Sequence, residues 1–96
     1  MQLDRNKCLI TQNLLIKSVE GIITKGNVPY LKEDTGGDIL FILYENDINK
    51  FTVEICLEYA EFYQLPQRHK IFDAFDEGYI ENVLRYFEEL INKGNV

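Results

Sequence analysis

Residues 34–59, DTGGDILFILYENDINKFTVEICLEY, decide the fold. Two polar turn signals, Asp34-Thr35-Gly36-Gly37 and Glu45–Lys50, bracket the apolar run Ile39–Tyr44. Glycines supply positive φ at no steric cost, so the first signal reads as a turn rather than as a nucleotide loop. A short, continuous apolar run between turns is what a strand buried on both faces presents. Beyond it, Phe51, Val53, Ile55, Leu57 and Tyr59 alternate with Thr52, Glu54, Cys56 and Glu58. That period of two marks a strand with one wet face. The same stretch also fits a helix. Ile48, Phe51, Ile55, Tyr59 and Phe62 recur at steps of three and four, with Lys50, Glu54, Glu58 and Glu61 opposite and Asp47 as a cap. The paired turns and the β-branched and aromatic content favour the hairpin.

On the N-terminal side, Asp4 to Lys25 reads as a helix. Cys8, Leu15, Val19, Ile22 and Ile23 fall near one face, with Asp4 as N-cap and Gly26-Asn27 as the stop. On the C-terminal side, Gln67 to Lys93 reads as a helix or helix pair. It opens after Pro66, is divided at Gly78 and is closed by Gly94. Its apolar stripe runs through Ile71, Phe72, Phe75, Tyr79, Ile80, Val83, Leu84, Phe87, Leu90 and Ile91. These segments predict one α+β domain over residues 1–96: an N-terminal helix, a small antiparallel sheet of two or three strands, and a C-terminal helix or helix pair. An all-α bundle is the alternative.

Charge divides the chain. Residues 1–32 carry five bases against two acids, while residues 33–96 carry five bases against fourteen acids, for a net charge of −6. An acidic field of that kind repels nucleic acid and anionic lipid and attracts basic protein surfaces. The start MQLDRNKC has no apolar signal segment, and the longest apolar run is six residues, far below the roughly 20 a membrane helix needs. With Cys8 and Cys56 as the only cysteines, the chain reads as cytoplasmic with two buried, reduced thiols. Its Ile, Asn, Lys and Glu content suggests an AT-rich bacterial or phage gene.

Catalytic chemistry is weakly represented. His69 is the only histidine and Ser18 the only serine. A nucleophilic site would need the fold to bring Cys8, Cys56 or Ser18 to His69, which the sequence places on an exposed first turn of helix. No Cys or His spacing suits a metal. Asp73-Ala74-Phe75-Asp76-Glu77-Gly78 fails as a calcium loop, because its third position is Phe75 and its twelfth Leu84. No cofactor is expected, and the chain is not read as an enzyme. What remains is binding. The acids form two sets: Glu54, Glu58 and Glu61, and the cluster around Gly78. The expected partner-binding residues are Asp73, Asp76, Glu77, Tyr79 and Glu81, with tyrosine suited to interfaces by its apolar ring and wet hydroxyl.

The stretch Phe75–Tyr79, followed by Arg85-Tyr86-Phe87-Glu88 and Asn92-Lys93, resembles the tail of the small phage anti-sigma proteins, over about a fifth of the chain and with a one-residue insertion. The resemblance implies an all-helical fold and inhibition by binding. Asp34–Tyr44 departs from that pattern, and no residue role is carried over.

The function expected from the sequence is therefore a small acidic inhibitor that neutralises a basic partner protein, of the immunity-protein or antitoxin type, such as one directed at a toxin or nucleic-acid enzyme. The alternatives are a phage-type inhibitor of a host protein, or a regulatory subunit that forms a homodimer through the Phe87–Ile91 edge.

Overall fold

Every strand of the sheet lies beside its neighbours in sequence. A computed structural model of the chain describes residues 5–64 and 68–93. It shows α1 (Arg5–Lys25), then β1 (Tyr30–Asp34), β2 (Ile39–Glu45), β3 (Ile48–Ile55), β4 (Tyr59–Gln64) and β5 (Arg68–Asp73), then α2 (Tyr79–Lys93). The strands form one antiparallel sheet in the order β1-β2-β3-β4-β5.

The turns follow from their residues. Helix α1 ends where Asn27 takes a φ of 54°. The Asn27 amide donates to the Thr24 carbonyl and the Val28 amide to that of Ile23, at 3.2 and 3.1 Å, the paired bonds of a Schellman stop. After β1, the Asp34 carboxylate accepts from the amides of Gly36 and Gly37, both at 3.1 Å. Those glycines stand at φ 80° and 114°, where a side chain would be strained. Asn46 and Asp47, at φ 53° and 66°, make the two-residue hairpin turn whose twist matches paired strands. The β2–β3 register shifts after Leu43, leaving Lys50 without a cross-strand partner. Its ammonium donates to the Ile91 carbonyl at 3.0 Å, placing a cation at the negative end of α2.

Both helices cover the same side of the sheet. Cys8, Gln12, Leu15, Val19 and Ile23 of α1, and Tyr79, Val83, Phe87 and Leu90 of α2, are buried with Phe41, Leu43, Phe51, Val53, Ile55, Ala60 and Phe62 of the strands. Phe62 is at the centre, with ring centroids of Tyr86, Phe72, Phe87 and Phe51 between 4.9 and 6.4 Å away. Among the described residues Gln12 is the buried polar side chain, and its amide donates to the Ile55 and Gly37 carbonyls at 3.0 and 2.9 Å. It thereby fastens α1 to the β1–β2 turn and to the end of β3.

The α+β class, the two terminal helices and the β2–β3 hairpin agree with expectation; the all-α alternative does not. Three points are corrected. The sheet has five strands, not two or three, because the alternating run stops at Ile55. There the Cys56 amide bonds the Tyr59 carbonyl at 2.8 Å, and the chain turns back into β4. Residues 68–73 form β5 rather than helix; Ile71, Phe72 and Phe75 have helical spacing, but only Phe72 packs on the core. Finally, β2 is fully buried only at Phe41 and Leu43. Leu40, Ile42 and Tyr44 lie on the other face and are only half-buried. Asp4, Pro66, Gln67 and Gly94, invoked above as caps and breaks, lie outside the described residues.

Candidate protein-interaction surface

Because α1 and α2 cover one face, the other is open. Antiparallel register places directly paired residues on the same face. One row across it therefore reads Glu33, Leu40, Glu54, Glu61 and Ile71, and the next Leu31, Ile42, Thr52 and Tyr63. Leu31, Ile71, Tyr63 and Tyr59 are 52, 53, 42 and 38% exposed. A fold that needed only its inner face would gain nothing from apolar side chains here, and contiguous exposed apolar surface marks interaction sites.

The acids on this face are opposed to one another. Glu54 and Glu61 are direct cross-strand partners, an arrangement that destabilises a sheet until a cation or donor answers it. Tyr63 supplies a donor: its hydroxyl donates to Glu61 at 2.8 Å and reaches Glu54 at 3.5 Å. Burial and that bond to Glu61 raise the Tyr63 phenol above its ordinary range. Beside this pair, Glu58, Tyr59, Glu61, Ile71, Asp73 and Phe75 line an open depression of about 370 Å³. Its lining combines Tyr59, Ile71 and Phe75 with the carboxylates of Glu58, Glu61 and Asp73, which suits the long apolar stem and charged head of lysine or arginine.

At the adjoining end of β3, donor atoms of Asp38, Glu54 and Cys56 lie within 4.8 Å of one another. These are the described residues placed to hold a metal ion; one thiol and two carboxylates are fewer than the four ligands of a closed zinc site. Burial pushes the Cys56 thiol up to about 11. The Glu54 and Asp38 carboxylates add to the rise, and a hydrogen bond with Tyr59 opposes it. The bond to Cys56, followed by the charges of Cys56 and Glu54, pushes the Tyr59 phenol up to about 12. At neutral pH Cys56 is a protonated thiol, the opposite of an activated nucleophile. Sequence spacing could not reveal this trio, since β2 contributes one member from its approach and β3 the other two from its end.

The expected binding residues separate. Asp73 closes β5, pairs with Tyr59 and reaches the depression; its carboxylate also accepts from the Phe75 amide at 2.8 Å. Asp76 and Glu77 are exposed in the following turn, and Glu81 is exposed on the first turn of α2. Tyr79 instead belongs to the core, at 6% exposure, and its hydroxyl has no hydrogen-bond partner among the described residues. Burial, then the charges of Cys56 and Asp73, raise its pKa. Sequence reasoning missed Tyr59, Tyr63, Ile71 and the Leu31–Ile42 pair, because only the register of five strands brings them together. His69 is a strand residue paired with Tyr63, not one in a helical turn. Cys8 and Cys56 are free and buried. On the Phe87–Ile91 edge, Phe87 and Leu90 are buried in the chain's own core, while Glu88 and Glu89 are exposed and Ile91 is half-buried. No described helix is long and apolar enough to cross a membrane.

No family model, curated protein or solved structure matches the chain.

Proposed function

We propose that this protein is a small acidic binding protein that docks a basic partner protein on the open face of its sheet and neutralises it, as an immunity protein or antitoxin would. The observation that carries the proposal is the depression lined by Glu58, Tyr59, Glu61, Ile71, Asp73 and Phe75. It joins the acids of β4 and of the β3–β4 turn to the acid at the end of β5, over an apolar floor. A lysine or arginine seated there gains carboxylate pairing and stacking on Tyr59 or Phe75. The surrounding negative field speeds encounter with a basic surface. Asp76, Glu77 and Glu81 extend that field around the corner into α2. The proposed setting is the cytoplasm of a bacterium or its phage, with no cofactor and no turnover.

The test is co-expression with the products of adjacent genes, followed by co-purification across a salt series. A basic partner that is retained at low salt and released as salt rises is the expected outcome. Glu58→Lys with Asp73→Lys then weakens the complex at least tenfold. A partner held equally well by that variant places the contact elsewhere.

A further inference from the structure

The outward side of α1 is as unexplained by the fold as the open face of the sheet. Lys7, Ile10, Leu14, Lys17 and Gly21 follow at steps of three and four residues and so form one stripe. They lie opposite the buried Cys8, Leu15, Val19 and Ile23. Ile10 and Leu14 are 61 and 52% exposed. Among the described residues, neither Lys7 nor Lys17 has a salt bridge. A Cβ added at Gly21 would meet nothing within 4 Å, so the stripe ends where another backbone can approach closely.

The two open surfaces complement each other. Along α1 the order is cation, apolar, apolar, cation, with Lys7 and Lys17 about 15 Å apart at the helical rise. Across the sheet, the row Glu33, Leu40, Glu54, Glu61 sets its first and last acids about 14 Å apart, three strand spacings. Pairing like with like fails on charge: two sheet faces would oppose Glu33, Glu54 and Glu61 to their own copies, and two α1 stripes would oppose lysines.

We propose that the open face of the sheet receives the outward Lys7–Ile10–Leu14–Lys17 stripe of α1 from a second copy of this chain. The two surfaces lie on opposite sides of a two-layer molecule. The contact is therefore head-to-tail, and each bound copy offers a fresh surface to the next. Salt weakens it, because Lys7, Lys17 and Glu33 are exposed and Glu54 and Glu61 only half-buried. A foreign basic partner competes with it for the same face. Since both surfaces belong to this chain, the inference stands without such a partner.

The test is light scattering of the full chain from about 10 μM to about 1 mM, at low salt and at about 0.5 M salt. The expected result is a weight-average mass at least double the monomer's at the highest concentration in low salt, returning toward monomer in high salt. Two variants, each confirmed as folded by circular dichroism, separate the surfaces. Lys7→Glu with Lys17→Glu abolishes association, and so does Glu33→Lys with Glu61→Lys, the two acids whose spacing matches the lysines. Mixing the two variants, or combining all four substitutions in one chain, restores it, because charges are then opposite again across every contact. A monomer at 1 mM in low salt overturns the proposal, as does association that survives either pair of reversals or is not restored by their combination. Partner capture reads Glu58 and Asp73 instead, so the two proposals fail separately.

Discussion

The two faces of the sheet are built from the same strands and obey different rules. On the inner face Phe41, Leu43, Phe51, Val53, Ile55 and Phe62 are each at most 1% exposed, and each is held by volume and shape. On the outer face Leu31, Tyr59, Tyr63 and Ile71 are 38 to 53% exposed, and Glu54 faces Glu61 across two strands. Alternation assigns each side chain to one face or the other, but only the inner set is accounted for by folding. The outer set is the surface on which the proposed binding is placed.

The sharpest way to break this contrast is to truncate one large apolar side chain on each side. Phe62→Ala removes the central inner ring and is expected to cost about 3–5 kcal/mol, enough to leave a domain of this size largely unfolded in a urea titration. Ile71→Ala on the outer face should stay within about 0.5 kcal/mol. Equal losses would mean that the outer face is covered within the chain.

The second test is alkaline pH. A thiol whose folded pKa lies above its unfolded value contributes stability that is complete below the unfolded value and is lost as pH rises through the folded one. For Cys56 the window runs from about pH 9 to about 11. The loss should be on the order of 2 kcal/mol, and thermal melts of Cys56→Ala should show a shallower decline over the same range. Next, Gln12→Leu leaves the Ile55 and Gly37 carbonyls without their donor and should cost about 1–2 kcal/mol in chemical denaturation. The smallest effect has the opposite sign. Glu54→Thr relieves the Glu54–Glu61 opposition and suits a strand better, so it should stabilise the fold by up to about 0.5 kcal/mol at low salt and less at high salt.

Much of the inner architecture was legible in the sequence. Asp34-Thr35-Gly36-Gly37 announced its turn through residues that tolerate positive φ, and α1 announced its end at Gly26-Asn27. The register of β4 and β5 was not legible, for identifiable reasons. The turn at Cys56-Leu57-Glu58 has no glycine, proline or asparagine, and is closed by a backbone bond between Cys56 and Tyr59. In Ile71-Phe72 the two apolar neighbours point to opposite faces of a strand, one to the core and one to the open surface, yet adjacent apolar residues look helical when solvent exposure is unknown. The same gap hid the candidate site. Asp73 could be singled out from its local charge cluster, whereas Glu58, Tyr59 and Ile71 joined it only when two unforeseen strands were paired. Tyr79 illustrates the converse, an aromatic suited to an interface by composition and taken into the core by the first turn of α2.

The meander, in which each strand neighbours the next in sequence, also sets the tempo of folding. Every strand pairing closes a loop of only a few residues, from the two-residue turn at Asn46-Asp47 to the link over residues 35–38 between β1 and β2. Short closures cost little chain entropy, and contacts between sequence neighbours favour rapid folding. The long-range step is the docking of the two terminal helices on one side of the sheet, where the bond from Lys50 to Ile91 ties β3 to α2. Until that step is complete, the inner aromatic cluster is as bare as the outer face remains.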